Sequence, residues 1–343
     1  MAANSVFRHS YWDAVNVAVI PGQAVFFVLL ARAYGALPTT TLLALLPVLY
    51  ALALQNSGAN HNHHHTPFFR SRRLNALTRM GFSLQGEPKT PHNIYHGHHH
   101  STNRSWDHDS YLRIVGLRAP IRRQLSRFGL SFVEALGLRY FVLLVLLKRW
   151  PLERVAALAS PADPELGRHV LGRVAQPAAL RAATFDLGAW LGFRLLLCAI
   201  DWRFFFLYYV PANYLITSLR MGEDFMHHWG AADAFDVRRN AVSCYGKLYN
   251  WLTFNLGYHQ EHHLRPTAHW LSLPSMTEGL PRDRRIVPFS HYVNVPLFYP
   301  RLAAEIARRA ASQVGAAEAA ASGSASTEVG SGAPGAAAAG HGE

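Results

Sequence analysis

Cysteine is scarce in this sequence: Cys198 and Cys244 are the only two in 343 residues. Two thiols exclude a disulfide framework, a thiolate zinc site and an iron–sulfur cluster. Any metal must be held by nitrogen and oxygen. Charge is scarce too, at 16% of residues against about 25% in an ordinary soluble domain. Half of the chain is hydrophobic. This balance fits an integral membrane protein or a very apolar soluble one, and the order of segments decides between them. Two motifs are missing altogether. Without Glu-x-x-His there is no carboxylate-bridged bundle of the soluble kind, and without His-Glu-x-x-His there is no zinc-peptidase helix.

The charge that remains is lopsided, at +12 and mostly arginine. No helix-turn-helix, zinc-finger or RNA-binding fingerprint accompanies it, so nucleic acid is not an expected partner. The arginines instead flank apolar runs. They cluster at Arg70–Arg73 and again at Arg104, Arg113, Arg118, Arg122, Arg123 and Arg127. By the positive-inside rule that side is cytoplasmic.

The apolar runs predict an all-α integral membrane protein. A first span covers about Ala14 to Ala33, with Trp12 at its interface and a kink expected at Pro21–Gly22. A tight turn at Gly35–Pro38 leads into a second span, Leu37–Asn56. The run Asp186–Arg220 has 35 residues. It would rise roughly 52 Å as one helix, against about 30 Å of hydrocarbon. The polar break Asp201-Trp202-Arg203 therefore predicts a second hairpin and about four spans in all. The run Ser131–Leu147 contains Glu134 and Arg139, charges that are costly in mid-bilayer, so it is expected to lie in the interface or to re-enter. The alternative makes it a span and Asp186–Arg220 one broken helix. The domain reading is a membrane domain over 1–310 and a disordered Ala/Gly/Ser-rich tail over 311–343.

Histidine is the residue in excess. Ten of the 20 fall in residues 61–108 and six in 227–269. In "NHNHHHTPFF" (60–69), His61 and His65 are four apart. "HGHHH" places His96, His99 and His100 as H-x-x-H-H, and "HQEHH" repeats this with His259, His262 and His263. Positions i, i+3 and i+4 share a helix face, so each box aims its imidazoles at one point. His63, His64 and His98 fall off that face. His92 and His269 lie near boxes but off the pattern and are expected as solvent-exposed polar side chains, and the run Phe204–Tyr209 reads as lipid-facing packing. A helix from Leu37 through His65 would rise about 43 Å, which carries His61 and His65 just past the bilayer core. Eight imidazoles are too many for one ion and suit two, and imidazole favours Fe, Cu, Zn or Ni over Mg or Ca.

H-x-x-x-H followed by two H-x-x-H-H boxes, interleaved with membrane hairpins, resembles the membrane fatty acid desaturase superfamily. The third box, "NLGYHQEHHLRP" (255–266), is especially similar to acyl-lipid desaturases. The likeness covers roughly residues 14–270. It implies two iron ions, O₂ as co-substrate, and a helical cap on the cytoplasmic side that carries the boxes. It also implies one further histidine after the last span. "RMGEDFMHHWG" matches that place, with His227 ahead of His228 because it precedes Gly230 by three positions. Some relatives carry an Asn one turn earlier that holds a metal-bound water, where this chain has Glu223. The expected ligands are His61, His65, His96, His99, His100, His227, His259, His262 and His263. Glu223, Asn255, His228 and Asp107 are candidates for contacts around them.

The expected activity is desaturation of a fatty acyl chain presented as lipid, acyl-CoA or acyl carrier. The alternative within the superfamily is a hydroxylase or ketolase acting on an acyl, alkane or carotenoid substrate. A metal transporter fits less well, since transporters hold polar ligands near mid-membrane. With no cytochrome-like His-Pro-Gly-Gly segment in the sequence, electrons are expected from a separate donor such as a ferredoxin. A bacterial-type inner membrane is the expected location.

Overall fold

Helices make up nearly all the regular structure. The structure, a computed structural model, describes residues 5–102, 138–159, 164–227 and 240–280. Among these there is no strand, only an isolated antiparallel bridge between Phe7 and Phe69. In chain order the helices are α1 (Asp13–Ala33), α2 (Thr39–Ala44), α3 (Leu46–His65), α4 (Arg72–Ser83) and α5 (Lys89–Thr102). After them come α6 (Leu138–Arg149), α7 (Leu152–Ala159), α8 (Pro164–Ala175), α9 (Pro177–Ile200) and α10 (Val210–Met226). The short α11 (Lys247–Leu252), α12 (His259–Leu264) and α13 (Leu273–Met276) complete the set.

Among the described residues, three helical stretches are long and apolar enough to cross a membrane: Asp13–Ala36, Thr39–His65 and Pro177–Ile200. Pro21 lies inside α1 without ending it. Pro38 stands extended at the N-cap of α2, where its fixed backbone turns the chain from the first span to the second. The third stretch begins at Pro177, well before the expected Asp186. The preceding Ala-rich turns lack the hydropathy of a span, yet alanine is the best helix former and Pro177 suits the first helical position.

The helix ends where the polar break predicted. Asp201 adopts an extended backbone, and its Oδ1 accepts from the backbone N–H of Arg203 (2.8 Å) and of Phe204 (3.2 Å), capping the next segment. That segment opens with a π-helical turn, Phe204–Tyr209, and runs on into α10. Phe204, Tyr208 and Tyr209 are buried while Phe206 and Leu207 are exposed. The expected lipid-facing aromatic run is therefore divided, since a helix sends a six-residue run to opposite sides. The buried half joins Leu30, Leu42, Leu49, Leu54, Phe193 and Leu197 in one apolar core. Leu29, Leu43, Leu195 and Leu207 face outward from the same helices.

Helix α6 carries the described part of the Ser131–Leu147 run, from Leu138 onward, and continues to Arg149. It packs with α7 and α8 around Leu143, Val155, Ala156 and Leu171. Asp107, His228, Glu134, the arginines between 104 and 127 and the tail 311–343 lie outside the described residues.

Two close approaches hold the third box in place, one of them against α3. A Cβ on Gly58 would stand 2.1 Å from the carbonyl oxygen of Thr253, so only glycine lets the loop pass there. The loop then turns through Phe254 and Asn255, both left-handed at φ 51° and 65°. A Cβ on Gly257 would meet the Cys244 carbonyl at 2.4 Å.

Candidate metal centre

The imidazoles of the three boxes point at one another. On α3, the His61 and His65 rings lie 4.9 Å apart. On α5, His96 Nε2 and His100 Nε2 are separated by 3.0 Å. From α12, His262 Nε2 comes within 2.8 Å of His61 Nε2 and 3.1 Å of His100 Nε2. One ligand nitrogen from each of His61, His65, His96, His100 and His262 fits in a group whose members all lie within 4.8 Å of one another.

A second group adjoins it. His263 Nε2 lies 3.1 Å from His259 Nε2 and 3.3 Å from His99 Nε2. The His227 ring sits 4.5 Å from that of His259, and the His100 and His263 rings, 4.4 Å apart, join the groups. The nine expected ligands are thus together in two adjoining sets of five and four.

This packing fits metal ions. Metal–imidazole bonds of about 2.1 Å at ordinary ligand angles place neighbouring nitrogens roughly 3.0–3.4 Å apart. Neutral imidazoles without an ion offer one N–H each, which cannot serve a nitrogen with two close nitrogen neighbours such as His262 Nε2. Burial first, then His100 and His61, hold His96 well below the usual histidine range. Burial first, then His61 and His65, does the same to His262. Both are neutral at neutral pH, the form that donates a lone pair to a metal.

The residues between the ligands hold the pieces in place. Asn60 Nδ2 donates to Asn93 Oδ1 on α5 (3.3 Å), and Asn62 Nδ2 donates to the Phe254 carbonyl (3.1 Å) and Asn16 Oδ1 (3.4 Å). The two asparagines of "NHNHHH" thereby tie the first box to the second and third. His63 lies off the cluster, packed on Phe68 and Phe82 with Nε2 3.3 Å from Asn75 Oδ1. Gly97 leaves room for His64, whose Nε2 would stand 3.4 Å from a Cβ there. The His98 ring meets that of His169 on α8 at 4.6 Å.

Several contributors escaped the sequence reading. Asp186 on α9 is fully buried. It accepts from the backbone N–H and the hydroxyl of Thr90 (2.7 and 2.6 Å) and pairs with Arg79 on α4 (3.2 Å). It caps the N-terminus of α5 and so sets the height of the second box. Glu261, inside the third box, is fully buried and accepts from Ser243 (2.7 Å), Tyr245 (2.8 Å) and Thr277 (2.7 Å). Burial first, then Glu261, pushes the Tyr245 phenol up, so it remains a donor. The Tyr249 hydroxyl stands 2.9 Å from His227 Nε2. Local helical periodicity carries no sign of these contacts, because each joins elements distant in sequence.

The expected surface histidines are corrected. His92 Nδ1 lies 2.9 Å from Glu87, and its ring stacks on His96 at 6.0 Å. His269 Nε2 pairs at 2.9 Å with the fully buried Asp13, which also accepts from Trp270 Nε1. Asn255 Nδ2 donates to the Trp270 carbonyl at 3.1 Å and stabilises the left-handed turn. Glu223 lies along α10, and its side chain is outside those described.

Helices apolar and long enough to cross a membrane thus carry, at one end, a histidine cluster that could hold metal. The chain matches the family model described as "Fatty acid desaturase" over residues 36–293, and it belongs to that family, whose members are oxidoreductases. No curated protein and no solved structure matches it.

Proposed function

We propose that this protein is an O₂-dependent desaturase of a fatty acyl chain, with two iron ions held by the nine clustered histidines. His61, His65, His96, His100 and His262 would hold one ion, and His99, His227, His259 and His263 the other. The observation that carries the reading is the convergence of all three boxes, in a member of this family, at the end of α3. When bound, the irons supply with O₂ the oxidising power to break an unactivated C–H bond, which has no proton acidic enough for a side chain to take.

The protein's own residues do the rest. Their depressed basicity keeps His96 and His262 available as ligands. Asp186 and Asn60 fix α5, Asn62 fixes the turn before α12, and Glu261 anchors α12 from behind. The apolar helices beneath would put a lipid chain within reach of the cluster.

Four spans with a cytoplasmic cap form part of the proposal. Residues 202–226 are helical throughout, a rise of about 37 Å that suffices to cross. With the turn at Asp201, this supports a second hairpin. The arginines beside the first box support a cytoplasmic cluster in a bacterial-type inner membrane. A separate acidic donor such as a ferredoxin would dock on that basic side. Turnover that stays constant as salt is raised would count against docking by charge.

The test is expression in a host of known lipid composition, with lipids profiled by mass spectrometry. The expected product is lighter than its parent by two hydrogens and is absent with His262→Ala. A product heavier by one oxygen would identify a hydroxylase instead. A product that persists in the variant would remove the metal assignment.

A further inference from the structure

A polar cavity of about 60 Å³ lies beside the metal cluster, lined by Asn56, Ser57, Gln85, Glu87, Thr217 and Arg220 among others. Three ligand-bearing elements meet there. Asn56 precedes His61 by five residues on α3, Lys89 precedes His96 by seven on α5, and Arg220 precedes His227 by seven at the end of α10. Those offsets correspond to about 7–11 Å along each helix. The cavity is thus one to two turns from the cluster, measured along all three.

Its charged walls are matched to one another. Glu87 pairs with His92 (2.9 Å), Lys89 (3.8 Å) and Arg220 (3.9 Å). The carboxamides are not matched. Gln85 is 9% exposed and Asn56 is 3% exposed. Both Nε2 and Oε1 of Gln85, and Nδ2 of Asn56, are buried without a hydrogen-bond partner. A buried polar group left unpaired carries its full desolvation penalty.

The wall is also rigid. Gln85 stands between two fixed carbonyls. The Leu84 oxygen accepts from Arg194 (3.1 Å), and the Gly86 oxygen accepts from Trp190 Nε1 (2.8 Å) and Arg194 (3.3 Å). A Cβ on Gly86 would lie 2.9 Å from Lys89 Nζ and 3.3 Å from Asn56 Oδ1, so glycine keeps the space open. The loop spends its hydrogen bonds on holding Gln85 still while leaving its carboxamide unpaired.

We propose that this cavity seats a neutral oxygen of the substrate, a hydroxyl or carbonyl on its chain, and so selects which carbon faces the metal centre. The inference rests on the acyl-chain reading above and narrows it from plain to oxygenated chains. Gln85 can accept from a hydroxyl, and Gln85 or Asn56 can donate to its oxygen. Exchanging the ends of the Gln85 amide changes nothing, since both are unpaired. A carboxylate is not called for, because Lys89 and Arg220 on the same wall are already drawn to Glu87 (3.8 and 3.9 Å). An unsubstituted methylene chain would leave all three atoms unpaired.

The experiment is equilibrium binding to the purified, metal-loaded full chain in detergent, comparing stearate with its monohydroxystearate positional isomers. One or a few adjacent isomers should bind about tenfold or more tightly than stearate, the worth of one good hydrogen bond. The preference should vanish in Gln85→Met and Asn56→Leu, with metal content and thermal midpoint checked as measures of folding. Equal binding of all chains, as when only water fills the cavity, would overturn the inference. So would a preference that survives both substitutions. Selective binding without any turnover would leave the cavity assignment standing and sink the desaturase reading instead.

Discussion

Asn62 Nδ2 donates to the carbonyl oxygen of Phe254 at 3.1 Å, which joins the helix of the first box to the left-handed turn that delivers the third. The bond is buried, and Asn62 is 5% exposed. Replacing Asn62 by Leu strands the Phe254 carbonyl and should cost about 1–3 kcal/mol. Thermal unfolding should shift accordingly, and iron bound per chain should fall although no ligand has changed. Full iron content in this variant would show that the turn holds itself.

Gly58 sets the same junction from the other side. Gly58→Ala would push a methyl group to 2.1 Å from the Thr253 carbonyl, and backbone there cannot yield as a flexible side chain would. The expected cost is about 1–3 kcal/mol or more. Gly188, which has nothing within 4 Å of its Cβ position, is the control. Gly188→Ala should be neutral or slightly stabilising in a thermal melt.

Asp186→Ala removes the cap of α5 and leaves Arg79 without its buried partner. Breaking one side of such a pair costs on the order of 3–5 kcal/mol when both partners are buried. Arg79 is 23% exposed, so the lower end is expected. Asp186→Asn keeps an acceptor for Thr90 and should lose less. Equal melting temperatures for the two variants would show that the charge, not the cap, is what matters.

How much of this was legible in the sequence follows from the range of the interactions. His61 and His65, or His259, His262 and His263, share a face through helical periodicity alone, and the structure brings those faces together. The turn at Asp201 was legible because charges in the middle of an apolar run are costly in hydrocarbon and draw the chain to the interface. Contacts between elements were not. Asp186 stands in an apolar run, and only the fold places Arg79 and Thr90 beside it. His269 reads as a solvent-exposed side chain because its partner Asp13 lies far away in the chain. The start of α9 was missed because hydropathy marks where a helix meets lipid, not where it begins.

Acidity should act on the metal centre with a definite sign. His96 and His262 are held well below the usual value of about 6.5 in the folded chain. In the unfolded chain they take up protons first, so stability is full above about pH 6.5 and falls as pH drops below it. Metal binding adds to the slope, since each ligand must be neutral to bind. Melting temperature and retained iron, followed from neutral to mildly acidic pH, should decline together. A rise in stability on acidification would contradict the neutral, buried cluster.

The most direct test of the account is iron per chain in the purified protein, measured beside one alanine variant from each box: His65→Ala, His99→Ala and His262→Ala. The account predicts two irons in the parent chain and a loss in every variant, because His65 and His262 belong to one set and His99 to the other. One iron in the parent chain, or two that survive all three substitutions, would contradict it.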